Sequence, residues 1–130
     1  MKVLGIRFCQ VAKADDAKTL AAALGENGFG MTPTDMGPSE TFQGAVFPVG
    51  ETAQTQAGSW IEIWPAGEQM PEMTMLQIVV DDADAWAARA KANGVDVKGP
   101  DDAHGERIYY ISGAGGLPVA FLSKAPDAST

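Results

Sequence analysis

One carboxylate in this sequence stands between two indoles at a spacing that suits binding or catalysis. The segment Trp60-Ile61-Glu62-Ile63-Trp64 alternates with a period of two, so a strand here has one aliphatic face and one face that carries both tryptophans and Glu62. A carboxylate between apolar walls can act as a general base, bind a metal ion or pair with a cationic ligand. Glu62 is therefore the candidate catalytic residue, and Trp60 and Trp64 are candidate ligand-binding residues.

The other side chains that could do chemistry have simpler interpretations. The only histidine, His104, lies in a loop beside Gly105, and we expect it to be solvated. The pair Asp81-Asp82 precedes a helical segment and is explained by helix capping, while Asp101-Asp102 lies in a predicted turn. Cys9 is the only cysteine and can form no internal disulfide, which fits a reducing compartment.

Length and composition restrict the class of protein. The 130 residues, 45% of them apolar, suffice for one ordinary domain with a hydrophobic core. A formal net charge of -8 argues against nucleic acid or an anionic membrane as a partner, because both attract concentrated Lys and Arg. The chain lacks the roughly 18 to 20 consecutive apolar residues of a membrane-spanning helix, and its start, Met1-Lys2-Val3-Leu4, lacks a signal-peptide pattern. We expect a cytoplasmic protein.

The elements that must position these side chains occur twice in the chain. An apolar strand, an alanine-rich helix and an Asn-Gly stop fill the start of each half, and three further strand segments follow. In the first copy the predicted elements are a strand at 3–11, a helix at about 15–26 and strands at 30–36, 42–49 and 59–64. In the second copy they are a strand at 73–80, a helix at 83–92 and strands at 95–97, 106–111 and 117–123.

This repeat predicts an α+β fold of two βαβββ modules in a single domain, residues 1–130, because neither copy alone could bury its apolar faces. Module one covers about 1–65, a linker covers about 65–72, and module two covers about 73–124. A glycine-rich hairpin turn is expected at 113–116 and a loose tail at 125–130.

Spacing on the two helices predicts which side chains face the core. The apolar positions recur three, four and seven apart, as on one face of a helix. These positions are Ala17, Leu20, Ala21 and Leu24 in the first helix, and Trp86, Ala87 and Ala90 in the second.

Each helix is expected to end at an Asn-Gly pair, Asn27-Gly28 or Asn93-Gly94, because glycine tolerates the left-handed backbone of a helix C-terminus. The apolar Phe29 after the first pair is expected to fold back onto the last helical turn.

The second copy carries a recognisable family pattern. The pattern lies in two stretches, Met75-Leu-Gln-Ile-Val-Val-Asp-Asp-Ala-Asp-Ala-Trp-Ala-Ala-Arg-Ala-Lys-Ala-Asn-Gly-Val95 and Arg107-Ile-Tyr-Tyr-Ile-Ser-Gly-Ala-Gly-Gly-Leu-Pro-Val-Ala-Phe121. Together these stretches resemble the glyoxalase, bleomycin-resistance and extradiol dioxygenase superfamily, also called vicinal oxygen chelate. The resemblance implies a curled mixed sheet, a half-barrel, around a central pocket, with the helices on the outer face. In many members that pocket holds a divalent metal.

The resemblance also implies where metal ligands would stand. They would come from the first and last strands of each module, at Phe8, Glu62, Met75 and Ala120. Of these only Glu62 suits a hard or borderline divalent ion, and a one-residue slip that replaces Phe8 by Cys9 would add only a single thiol. We therefore expect no metal and no other cofactor.

The two first-strand positions share a further feature. Phe8 and Met75 are each followed two positions later by a glutamine, Gln10 or Gln77, and residues two apart on a strand share a face. We therefore expect both amides to face the same pocket as Glu62. Apolar walls with a few converging polar groups are typical of a small-molecule site.

The resemblance adds the strand 106–111 to the pocket wall. Arg7 and Arg107 are candidate partners for Glu62, although alternation puts Arg7 on the face opposite Phe8. Alternation also sends Tyr109 and Tyr110 to opposite faces, so one of them lines the pocket and the other packs under a helix. The sequence does not choose between them. The predicted ligand-binding residues are thus Phe8, Gln10, Trp60, Glu62, Trp64, Met75, Gln77, Arg107, Tyr109 and Tyr110.

Three functional interpretations stay open. The preferred one is a protein that binds a small organic molecule between the two modules without a metal, as antibiotic-binding members of the superfamily do, with the acidic surface suiting a cationic compound. The second is a lyase, isomerase or dioxygenase-type enzyme in which Glu62 is the base or a metal ligand. The third is a degenerate copy whose pocket is filled and which associates with other proteins. The resemblance also implies a homodimer.

Overall fold

A computed structural model describes residues 2–37, 39, 41–49, 59–111 and 116–125. In the described part the chain forms a mixed seven-stranded sheet and two helices, which confirms the predicted α+β class. The elements are β1 (Val3–Ala12), α1 (Ala14–Leu24), β2 (Ala45–Val49), β3 (Ser59–Pro65), β4 (Met73–Val80), α2 (Ala83–Ala92), β5 (Val97–Ala103), β6 (Glu106–Ile111) and β7 (Val119–Lys124). The strand order is β2-β3-β1-β4-β7-β6-β5.

The chain divides into two compact units. The first unit is Arg7–Thr74, and the second unit is Met1–Ile6 together with Met75–Thr130, so the first residues of β1 belong with the second half of the chain. The second unit contains the complete order strand, helix, strand, strand, strand that the sequence predicts. Neither α1 nor α2, the two helices of the described residues, is long and apolar enough to cross a bilayer.

In the first unit, α1 covers one face of β2 and β3. β3 pairs antiparallel with β2 and parallel with β1. Side chains at paired positions share a face, which places Phe47 of β2 beside Ile61 and Ala45 beside Ile63. Ala17 and Ala21 of α1 are buried against this face, as the helical spacing predicts. Leu20, which was also expected to face the core, is 38% exposed.

The end of α1 differs from the prediction. The helix ends at Leu24, and Gly25 follows with an extended backbone. The chain then turns back, and the Phe29 N–H donates to the Ala23 carbonyl over 2.8 Å. A Cβ on Gly28 would overlap that carbonyl, so glycine is needed here for space, and the expected left-handed backbone is absent from Gly28. The side chain of Phe29 is 81% exposed and does not fold back onto the helix.

The predicted strand at 30–36 is irregular chain in the structure. Gly30 adopts a φ of 87°, which an extended strand does not allow, and Pro33 has no N–H to donate to a ladder. The Thr34 N–H still donates to the Val46 carbonyl of β2 over 2.7 Å. This segment therefore runs beside β2 without extending the sheet.

In the second unit, α2 packs on β6 and β7. Ala83 and Ala87 are buried with Val80, Tyr109 and Phe121. The Asp82 carboxylate accepts the Ala85 N–H over 3.2 Å, which confirms the predicted cap. At the other end Gly94 adopts a φ of 86°, so the second Asn-Gly stop is also confirmed.

The strand β5 is longer than predicted. It starts at Val97 and continues to Ala103, with an irregularity between Lys98 and Asp101. The predicted Asp101-Asp102 turn is therefore wrong, because both residues pair with β6. The reversal falls instead on His104-Gly105, whose φ angles of 53° and 76° suit a two-residue hairpin turn. The predicted hairpin at 113–116 and the tail at 125–130 lie largely outside the described residues.

Candidate functional site

The carboxylate of Glu62 is held by two indoles, one on each oxygen. Trp60 Nε1 donates to Glu62 Oε2 over 2.7 Å, and Trp64 Nε1 donates to Oε1 over 3.0 Å. All three side chains are half-buried and lie on the face of β3 opposite Ile61 and Ile63, as the period of two predicts. Two charge-assisted hydrogen bonds fix the plane of the carboxylate and leave one lone pair on each oxygen for another donor.

Strand β1 supplies the neighbours of Trp60 and Glu62. Arg7 pairs with Trp60 and Cys9 pairs with Glu62, so their side chains share the face of the two indoles. The guanidinium carbon of Arg7 lies 3.8 Å from the centre of the Trp60 ring, and Arg7 is only 6% exposed. A buried cation thus stacks on one face of the indole that binds Glu62.

Cys9 faces Glu62 from the neighbouring strand as a protonated thiol. Burial, followed by the negative charge of Glu62, raises the pKa of the Cys9 thiol to about 11. A thiol with this pKa stays neutral at physiological pH and is a poor nucleophile.

The indole of Trp64 packs against the backbone at Gly44. Gly44, just before β2, adopts a φ of 126°, and a Cβ at this position would overlap the Trp64 ring. The ring therefore packs closely against Gly44, where any side chain would displace it. This contact and the hydrogen bond to Glu62 together orient Trp64.

The register of β1 corrects one part of the predicted site. Phe8 pairs with Ile61 and Gln10 pairs with Ile63, so both lie on the face opposite Glu62. Phe8 is 42% exposed there, and Gln10 Oε1 accepts a 2.6 Å hydrogen bond from the Thr74 hydroxyl. The expectation that Phe8 and Gln10 share a face with Glu62 is wrong, because a shift of one residue exchanges the two faces of a strand.

The corresponding pair in the second unit behaves as the spacing predicts. Gln77 Nε2 lies 3.7 Å from Met75 Sδ, so the two side chains share a face of β4. Gln77 pairs with Ala120 of β7, and Ala120 pairs with Tyr110 of β6. Met75, Gln77, Ala120 and Tyr110 therefore lie on one face of the second unit, while Glu62 belongs to the first unit.

The structure decides between the two tyrosines. Tyr109 is 6% exposed under α2, and its hydroxyl donates to Asp84 Oδ1 over 2.6 Å. Its ring stacks on Phe121 with centroids 5.3 Å apart. The hydrogen bond to Asp84 raises the pKa of Tyr109. Tyr109 therefore belongs to the helix side, and Tyr110 shares the other face with Gln77.

Arg107 is likewise on the helix side, where it joins two carboxylates. Its Nε and Nη2 donate to the two oxygens of Asp102 over 2.9 and 3.1 Å, and its Nη1 donates to Asp84 Oδ2 over 3.1 Å. This bidentate pair lowers the pKa of Asp102. Arg107 lies on the same face of β6 as Tyr109, because it pairs with Ser123, whose hydroxyl accepts the Ala83 N–H at the start of α2.

Side chains that bind metals are scattered. Across the described ranges no group of three or more His, Cys, Asp and Glu residues is placed to hold an ion. His104 is exposed at the tip of the β5–β6 hairpin, as the sequence predicts. In the first unit, Arg7 and Cys9 share the face of the sheet that carries Glu62.

Comparisons with known proteins identify the fold. No family model and no curated protein sequence matches this chain. Among solved structures, methylmalonyl-CoA epimerase of Streptomyces coelicolor, in complex with 2-nitronate-propionyl-CoA, matches with a TM-score of 0.62 at 15% identity, over 96% of this chain and 98% of that one. Methylmalonyl-CoA epimerase of Mycobacterium tuberculosis matches with a TM-score of 0.57 at 18% identity, over 96% and 89%. A hypothetical protein of Bacillus halodurans C-125 matches with a TM-score of 0.63 at 18% identity, over 93% and 94%.

Proposed function

We propose that this chain, which has the fold of the vicinal oxygen chelate superfamily, binds a small organic molecule on the face of β3 that carries Trp60, Glu62 and Trp64. The observation that supports the proposal is the carboxylate held between two half-buried indole N–H groups. In a packed core these groups would be fully buried. Here the two indoles hold the Glu62 carboxylate in one orientation between two aromatic surfaces. Such a polar group among apolar walls is common in small-molecule sites.

The unused hydrogen-bond acceptor capacity of Glu62 indicates what kind of ligand can bind. Each oxygen of Glu62 keeps one lone pair, so the ligand carries an N–H or O–H donor. Arg7 already covers one face of Trp60, which leaves the ligand to pack on the rest of the aromatic surface. The formal charge of -8 favours a cationic amine as that donor.

The proposed site contains no metal ion, because the residues at the family's ligand positions do not fit one. At these positions the first unit offers one thiol, Cys9, and one carboxylate, Glu62, whose two oxygens already accept indole N–H groups. In the second unit the corresponding positions are Met75 and Ala120. A divalent ion needs three or four nitrogen, oxygen or thiolate donors, so we derive no step through a metal.

The same geometry favours binding over general-base catalysis by Glu62. A general base must take up a proton on one oxygen, and each oxygen of Glu62 already accepts an indole N–H. Ligand binding needs only one further donor to a carboxylate oxygen.

A thermal-shift screen of small amines, amides and alcohols with matched variants tests the proposal. Ligands of the site raise the melting temperature of the wild type and should have little effect on Glu62→Gln, whose amide cannot accept both indole bonds and carries no charge. Asp81→Asn is the control, because Asp81 accepts a 3.2 Å bond from the Trp86 indole in the second unit. A ligand at 100 times its Kd stabilises by about 2.7 kcal/mol.

Two outcomes would contradict the proposal. One is a set of ligands that stabilise Glu62→Gln as strongly as the wild type. The other is stoichiometric Zn, Ni, Fe or Mn in protein purified without chelator, which would require a metal site that these donors do not form.

A further inference from the structure

A second concave surface lies in the first unit, on the face of the sheet that α1 covers. It is a cleft of about 810 Å³ between the C-terminal half of α1 and described residues at 33–37, 39, 41–45 and 47. Buried Ala21, Ala45 and Phe47 form its base. The volume lies within the roughly 300 to 1,000 Å³ of small-molecule sites. Glu62 and its two indoles do not line this cleft, because they lie on the opposite face of β3.

Polar side chains line the walls of the cleft, and two of the three charged ones are acidic. Glu26 and Asp35 carry negative charges there, and Lys18 carries the one positive charge among the lining side chains of the described chain. The Gly37 N–H donates to Asp35 Oδ1 over 2.9 Å, which fixes that carboxylate in the wall. The second oxygen of Asp35 is available to a ligand.

The end of α1 adds to the negative potential of the cleft. A helix C-terminus carries a partial negative charge from its carbonyl groups, and basic residues in the last turn usually offset it. The last turn of α1 has no basic residue. Gly25, which follows the last turn, and Glu26 both line the cleft. A cation in the cleft therefore interacts with two carboxylates and with the helix end.

We propose that this cleft is a second ligand site, which binds a small organic cation with one ring system. The ring packs on the half-buried Phe42 beside the apolar base, and the ammonium group faces Glu26 and Asp35. Contact with the apolar side chains of the cleft contributes to affinity, and charge selects the sign of the ligand. The site is independent of the function proposed for Glu62.

Two probes with the same ring and opposite charge test the proposal. They are 1-naphthylmethylamine, a cation at pH 7, and 1-naphthaleneacetate, its anionic counterpart, each titrated into the full chain by isothermal calorimetry. We expect the cation to bind at least about tenfold more tightly, a difference of about 1.4 kcal/mol. Equal affinity for the two probes, or no binding of the cation up to millimolar concentrations, would overturn the proposal.

Matched variants of α1 test whether the cation binds in the cleft. Ala22 and Ala23 are both exposed on the helix, but only Ala22 lines the cleft. Ala22→Trp should fill the cleft and weaken binding of the cation by about tenfold or more, whereas Ala23→Trp should leave its Kd within about twofold. Equal effects of the two variants would show that the cleft is not the site.

Charge variants separate this cleft from the Glu62 site. Glu26→Gln should weaken the cation about threefold or more, and Glu72→Gln, an exposed carboxylate outside the cleft, serves as its control. Glu62→Gln should leave the Kd of the cation unchanged. If Glu62→Gln abolishes binding and Glu26→Gln does not affect it, the probe occupies the other face of β3 and the cleft proposal fails.

Discussion

Arg7 and Trp60 stand at paired positions of β1 and β3, with the guanidinium carbon 3.8 Å from the centre of the indole ring. Arg7 is 6% exposed, so water and salt screen this pair little. Such desolvated cation–π pairs contribute about 2 kcal/mol. The pair holds the indole that donates to Glu62, and thereby links strand register to the geometry of the candidate site.

A double-mutant cycle measures the coupling energy between Arg7 and Trp60. Arg7→Lys keeps the charge but loses the planar group, and we expect the free energy of unfolding to fall by about 1–2 kcal/mol. Urea denaturation of Arg7→Lys, Trp60→Leu and the double variant should give a coupling energy of about 1 kcal/mol. Arg89→Lys, on the exposed surface of α2, is the control. A coupling energy near zero would show that the stacking contributes nothing.

Gly44→Ala tests the contact between Trp64 and backbone. The new Cβ would overlap the indole at a φ of 126°, so both overlap and backbone strain destabilise the variant. Gly30→Ala, at a φ of 87° with open space around the new Cβ, measures the strain alone. We expect Gly44→Ala to lose about 1–3 kcal/mol more than Gly30→Ala in urea denaturation. Similar losses in the two variants would contradict the packing of Trp64 on Gly44.

The two adjacent tyrosines should respond differently to loss of the hydroxyl. Tyr109→Phe removes the 2.6 Å bond to Asp84 but keeps the ring stacked on Phe121, and we expect a loss of about 1–2 kcal/mol. Tyr110→Phe, on the other face of β6, should change the free energy of unfolding by less than about 0.5 kcal/mol. Thermal and urea denaturation of both variants measure this difference. The reverse order would mean that Tyr110, and not Tyr109, packs under α2.

The pair of Asp102 and Arg107 predicts a dependence of stability on acid pH. The guanidinium holds the pKa of Asp102 below its usual 3.8, so the folded state favours the charged carboxylate. Its stabilising contribution is present above pH 3.8 and is lost as the pH falls through the lowered pKa. The melting temperatures of wild type and Asp102→Asn should therefore converge on acidification. Asp101→Asn, at the neighbouring position of β5, is the control, and a gap that stays constant with pH would contradict the pairing.

The buried thiol of Cys9 predicts that the stability of the protein depends on pH in the alkaline range. Burial raises the pKa of this thiol from 9.0 to about 11 in the folded state. A raised pKa means that the contribution to stability is fully present below pH 9.0 and is lost as the pH rises through about 11. Cys9→Ala lacks this component, so the stability curve of the wild type should fall more steeply than that of the variant across this interval. Parallel curves, measured by urea denaturation, would show that Cys9 is not buried beside Glu62.

Several elements could be predicted from sequence because their signals are local. The bounds of β4, α2 and β6 agree with the prediction. In α2 the signals were strong: Asp82 accepts the Ala85 N–H in the first turn, and Gly94 has the positive φ that ends the helix. In α1 the same Asn-Gly signal was misleading, because Gly25 ends the helix earlier.

The placement of Arg107 and Tyr109 could not be predicted from their strand alone. Alternation puts them on one face of β6 and Tyr110 on the other, but it does not say which face α2 covers. The carboxylate of Asp84 on α2 attracts both side chains, through bonds of 3.1 and 2.6 Å. That contact joins residues 23 and 25 positions apart, so it exists only once the helix has packed on the sheet.

The sequence by itself determined that Trp60, Glu62 and Trp64 share a face, because alternation is a property of a single strand's backbone. Tertiary structure alone decided that Cys9, and not Phe8, faces Glu62. Apolar residues occupy both faces of β1, so hydrophobic pattern does not fix its register, and a shift of one residue exchanges every side chain between the faces. The register is chosen when β1 pairs with β3, and this pairing gives Glu62 its neighbours.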